Sequence, residues 1–158
     1  MRSIDLSQKG TRGSQGREAM KKFVLLKILK KRLGYTDEEM NKFKENPRNL
    51  EIVSKVPELT KKKLVLEVVE SHGCNSRHGV GDRFVFDAFG NLDTRQCPDQ
   101  VCLFLIGNAQ PLIYAGMELL LAGADPNRMG FNKMGCVDVG LECGGWGKVV
   151  VEVKAEGN

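Results

Sequence analysis

At Lys63 the hydrophobic period of this chain changes from that of a helix to that of a strand, and this change limits the fold more than any other feature. Downstream, residues 64–69 (LVLEVV), 83–87 (RFVFD) and 148–154 (KVVVEVK) read as three strands, the last with strict alternation. Upstream there is no period-two segment. In residues 17–33 (REAMKKFVLLKILKKRL), Met20, Phe23, Leu26, Leu29 and Leu33 recur near helical spacing, and Val24 and Ile28 widen the stripe. Lys30, Lys31 and Arg32 suit the negative end of that helix dipole, and Gly34 supplies a stop. Thr36-Asp37-Glu38-Glu39 has the form of a capping box, opening a second helix that Asn46-Pro47 ends. A short third helix is expected over residues 49–56, stopped near Pro57.

The organisation that follows is a polar, mobile tail over residues 1–16, a basic helical module over 17–62 and a domain over 63–158. The expected class is α+β, with a small, mostly antiparallel sheet and helices packed on one face. A module of this length cannot hold a core alone, so its apolar stripe is expected to dock elsewhere. Between the second and third strands, Asp99 is a candidate cap for a helix over residues 100–106. Pro111 suits the first turn of another helix, ending at Gly123, and Gly116 permits close approach on its buried stripe. The apolar run 101–124 contains Asn108, Gln110, Pro111 and Glu118, and is read as buried helix rather than a membrane span.

Charge divides at the same place. Residues 1–63 carry 17 Lys or Arg against 8 Asp or Glu, and residues 64–158 carry 7 against 12, which together make the net charge of +4. A basic arm on an acidic body can fold back, dock on a neighbouring copy or reach an external polyanion. The sparse aromatics argue against nucleic acid. Five cysteines (Cys74, Cys97, Cys102, Cys136 and Cys143) all lie in the second part. Their odd number suits reduced thiols in a cytoplasm better than a secreted disulfide framework. The apolar stretch at residues 23–29 is short, is broken by Lys27 and lacks a cleavage site.

The densest chemistry lies in residues 72–82 (HGCNSRHGVGD), which hold both histidines of the chain around Cys74. Cys74 and His78, four positions apart, can wrap a loop around one ion. Thiolate and imidazole suit zinc or ferrous iron, with Cys97 and Cys136 as further ligands. Without a metal, Cys74 or Cys136 becomes a nucleophile or proton donor, His78 tunes the thiol, and Asp82 or Asp138 orients the imidazole. The plain alternative is that the cysteines are small buried hydrophobes and Asp82 a turn residue. Residues 143–148 (CGGWGK) resemble a phosphate loop only in part. Glu142 and Val149 stand where that motif needs glycine and Ser or Thr, so a glycine turn is expected, with Trp146 covering a pocket or the sheet edge. No dinucleotide fingerprint is present, and no nucleotide cofactor is expected.

In order along the chain stand Cys74, then His78-Gly79-Val80-Gly81-Asp82-Arg83-Phe84, Cys97-Pro98, Pro111, Cys136-Val137-Asp138 and the strand at 149–153. This order resembles a family of small, largely uncharacterised prokaryotic proteins over residues 63–155, with the helical module as an extension. Asn75 stands where many relatives have proline, and the glycine-rich residues 143–148 are additional. The resemblance implies a domain boundary and a residue list, and no reaction. Three functions remain open. One is a small enzyme or enzyme subunit with a Cys/His site. Another is an accessory protein, homo-oligomeric or holding a protein partner through residues 17–60. The third is a nucleic-acid-binding module using residues 21–32.

Overall fold

The computed structural model describes the backbone of residues 11–157 and the side chains of residues 16–157. The chain divides into two compact units, meeting between Val56 and Pro57.

The first unit is helical. Helix α1 spans Thr11–Leu33, α2 Asp37–Glu45 and α3 Pro47–Leu59, whose last turn passes the division. The tail expected over residues 1–16 is shortened, because residues 11–16 are already helical, while residues 1–10 lie outside the described residues. Extending a formed helix adds one hydrogen bond per residue fixed, so even the glycines of this stretch can join it. Gly34 ends α1 with φ of 70°, and the Tyr35 amide donates to Lys30 O at 3.1 Å. The capping box is complete: the Glu39 amide donates to Thr36 Oγ1 at 3.2 Å and the Thr36 amide to Glu39 Oε2 at 2.7 Å. Helix α3 starts at Pro47, a first-turn position where no amide is needed, and continues through Pro57. Pro57 lies in the final turn, where one lost bond does not stop the helix. Met40 and Val53 are buried, whereas Met20, Phe23, Val24, Ile28 and Leu33 of α1 are exposed.

The second unit is the expected α+β arrangement. Strands β1 (Lys62–His72), β2 (Arg83–Asp87), β3 (Lys133–Gly135) and β4 (Lys148–Gly157) form one antiparallel sheet in the order β2-β1-β4-β3. Alternation fixes the register. Leu64, Leu66 and Val68 of β1 lie opposite Ala155, Val153 and Val151 of β4, and Leu64 and Leu66 also lie opposite Phe86 and Phe84 of β2. These side chains form the core with Leu105, Ala109, Leu112 and Ile113 of helix α4 (Leu103–Ala122).

Helix α4 corrects the expectation of two helices. It is continuous, with Pro111 inside it. Pro111, Asn108 and Gly107 are all exposed, so the carbonyl that loses its partner faces water, while the buried stripe holds both halves on the sheet. The helix also starts later than expected, with Cys102 rather than Asp99 as N-cap residue. By length and composition α4 could cross a membrane. Its packed stripe marks it as the core helix of this unit. Gly116 allows the sheet to come close: a Cβ there would lie 3.0 Å from Leu64 Cδ2.

Candidate thiol site

Three separate segments meet where β1 ends, α4 begins and β3 leaves the sheet. After β1 the chain turns through Cys74-Asn75-Ser76-Arg77. The Arg77 amide donates to Cys74 O at 3.0 Å, and Arg77 takes the left-handed conformation, φ 59°. The second segment is the start of α4. The third follows β3, where the Cys136 amide donates to Val149 O at 2.7 Å and the chain enters a glycine-rich loop.

Asp138 organises that loop. Its Oδ1 accepts from the amides of Gly140 at 3.1 Å and Trp146 at 3.0 Å, and its Oδ2 from the Gly147 amide at 3.0 Å. The Gly140 and Gly147 amides, more than burial opposes, hold this carboxyl below the usual carboxylate range, with help from Trp146 and Val139. The loop glycines are packing requirements. A Cβ at Gly147 would lie 2.3 Å from Gly73 O, and one at Gly145 2.1 Å from Asp138 Oδ1. Of the two carboxylates expected to orient the imidazole, Asp138 has its oxygens engaged by backbone amides, and Asp82 is the one beside it, with Oδ2 3.5 Å from His78 Nδ1. The glycine turn expected at residues 143–148 is present, and Trp146 is three-quarters exposed beside it.

Between these segments lies a cavity of about 180 Å³. That is the scale at which an apolar protein cavity takes a benzene-sized guest. Cys74, Cys102 and Cys136 line it together with Ser76, Phe104 and Asp138. Cys102, half-buried, is the distinctive member. No side-chain hydrogen bond of full capping geometry closes this helix end. Burial alone would push the Cys102 thiol up. The Leu105 amide, the Ser76 hydroxyl and the Phe104 amide together outweigh burial and hold the thiol below its ordinary range. The cause is the common one at a helix N-terminus, where unpaired amides favour a negative charge.

Of the residues expected from sequence, Cys74, Cys136 and Asp138 reach this cavity, while His78, Asp82 and Cys97 are not part of its lining. His78 is 3% exposed, with Nδ1 3.5 Å from Asp82 Oδ2 and its ring edge-on to Phe84, centroids 5.1 Å apart. Among the described residues its Nε2 has no hydrogen-bond partner. Asp82 Oδ2 also accepts from the Gly79 amide at 3.0 Å, and Ser71 Oγ donates to His78 O, so this pair clasps the loop. His78 does not line the cavity that Cys74 reaches, and among the described residues its Nε2 makes no hydrogen bond to a thiol there. Cys97 Sγ donates to Asp93 O at 3.2 Å and packs at the edge of the core. Cys143 is exposed. Among the described residues no three His, Cys, Asp or Glu side chains come together as a set that could hold a metal ion, so the ligand set Cys74, His78, Cys97 and Cys136 is not assembled.

Cys102 is the site residue that the sequence does not single out. A cap at Asp99 places Cys102 inside a helix, where it carries no special chemistry. The available signal was its place immediately before the apolar run 103–106, at the true start of the helix. In comparisons with family models, curated proteins and solved structures, the chain finds no match.

Proposed function

We propose that this chain is a thiol-dependent enzyme or enzyme subunit in which Cys102 is the nucleophile and the cavity receives a small, largely apolar electrophilic group. The observation that supports this most is the convergence of Cys74, Cys102 and Cys136 on one cavity, with Cys102 placed at the N-terminus of α4. The thiolate is the reactive form of cysteine, and an amide-lined helix end maintains it near neutral pH. In the step proposed, Cys102 Sγ donates an electron pair to the electrophilic atom and a new bond to sulfur forms. The leaving group departs with its own bonding pair. Phe104 and Val137 provide apolar contact for the bound group. Cys74 and Cys136 line the same cavity. The free state of all five thiols suits a reducing compartment such as a cytoplasm.

The test is the pH dependence of alkylation by iodoacetamide, read residue by residue by peptide mass spectrometry. Cys102 is expected to react fastest of the cavity thiols and to keep reacting below the pH range of an ordinary thiol. Cys102→Ser removes that component and leaves the slower sites unchanged. If the exposed Cys143 alone accounts for reaction near neutral pH, the assignment of Cys102 is wrong.

A further inference from the structure

We propose that the face of α1 carrying Met20, Val24, Lys27, Ile28 and Lys31 binds an anionic lipid surface. These positions recur at the four- and three-residue intervals of one helix face. Large apolar side chains on it stand open to solvent: Met20 is 64% exposed, Ile28 58%, Phe23 54% and Val24 47%. Four large apolar side chains exposed within nine residues of one helix are candidates for contact with an apolar surface.

The cations favour a lipid surface. Residues 17–33 hold seven Lys or Arg against one acidic residue, Glu18. Lys30 pairs with Asp37, but among the described residues no acidic side chain pairs with Lys21, Lys22, Lys27 or Lys31. Lys27 Nζ lies 4.5 Å from the centroid of the Phe23 ring, so the charge is held against an apolar side chain of this helix. Long lysine stems beside aliphatic side chains suit the boundary between acyl chains and phosphate headgroups.

The alternative occupants fit less well. A second copy would have to offer negative surface, and the sheet's share of it, Glu67, Glu70, Glu152 and Glu156, already pairs with Lys154, Lys148, Lys154 and Arg83. Nucleic acid would use stacking platforms, and Phe23, the one aromatic here, is already covered by Lys27.

The experiment is co-sedimentation of the full chain with vesicles of phosphatidylcholine alone and of phosphatidylcholine containing about 30% phosphatidylserine, at low salt and at about 0.5 M salt. Binding to the anionic vesicles is expected to exceed that to neutral ones by about tenfold or more, and to fall at high salt. The double change Lys27→Glu, Lys31→Glu abolishes the difference, and Ile28→Ser weakens binding at unchanged charge. Both alter exposed side chains, and circular dichroism confirms that the helices remain. Equal binding to both vesicles, or none to either, overturns the proposal. So does a salt-resistant dimer lost on Ile28→Ser without lipid binding, which assigns the face to a second copy. Binding to RNA tighter than to the anionic vesicles also overturns it.

Discussion

Gly147→Ala tests the packing that builds the cavity. The added methyl would lie 2.3 Å from Gly73 O, 2.6 Å from Gly73 C and 2.8 Å from His72 O. A carbon and an oxygen in contact stand about 3.3 Å apart, so the shortfall is about 1 Å. All three obstructing atoms are backbone, so no side chain can rotate away. The loop after β1 and the loop before β4 must separate, or the sheet ends must shift. Overpacking of this kind costs about 1–3 kcal/mol. With a urea dependence of about 2 kcal/mol/M for a unit of this size, the unfolding midpoint should fall by about 0.5–1.5 M. Trp146, the single tryptophan and the adjacent residue, provides a fluorescence signal from this unit. Gly73 and Ser76 lie on the same turn, so separation also draws the Ser76 hydroxyl from Cys102. The pH profile of Cys102 alkylation should therefore move upward in the same variant. Gly107→Ala is the control, since a Cβ there meets nothing within 4 Å and the residue is inside α4. It should raise stability by about 0.5–1 kcal/mol through helix propensity and leave the alkylation profile unchanged. A Gly147→Ala protein with both the midpoint and the profile of the parent would refute the close approach of the two loops.

Phe84 is fully buried at the junction of β1, β2 and the His78 ring, and Phe84→Ala should cost about 3–5 kcal/mol, read by the same urea titration. Asp138 contributes through its ionised form, because its folded carboxyl lies below the ordinary range. Its contribution is complete above the unfolded carboxylate range and lost as pH falls through the lower folded value. The stability difference between the parent and Asp138→Asn should therefore be constant above about pH 5 and shrink on acidification. A difference that grows in acid would contradict the sign. Thr36→Ala removes the side-chain acceptor for the Glu39 amide and should lower the stability of the helical unit by about 1 kcal/mol, measured by circular dichroism during thermal unfolding.

What could be read along the chain and what could not differ in physical kind. The strands at 64–69, 83–87 and 148–154 were legible because alternation is a local pattern whose meaning does not depend on the partner. The capping box was legible for the same reason, since Thr36 and Glu39 bond each other within one turn. Strand β3 was not: Lys133-Met134-Gly135 has no pattern of its own and is a strand because β4 offers an edge. The continuity of α4 through Pro111 was hidden likewise. The local cost of an interior proline is plain in the sequence, whereas the packed stripe on both sides that outweighs it appears only with the sheet in place. The site combines both kinds. Cys74 and Cys136 attracted notice as residue types in turn-rich sequence, and His78 attracted it more, yet the imidazole closes a loop with Asp82 and faces Phe84. Cys102 depends on where α4 begins, and that start decides which sulfur sits at the N-terminus of the helix. A shift of one helix boundary by three residues thus changes which cysteine is chemically distinct. The reactivity of Cys102 therefore tests the helix boundary as much as the enzyme assignment.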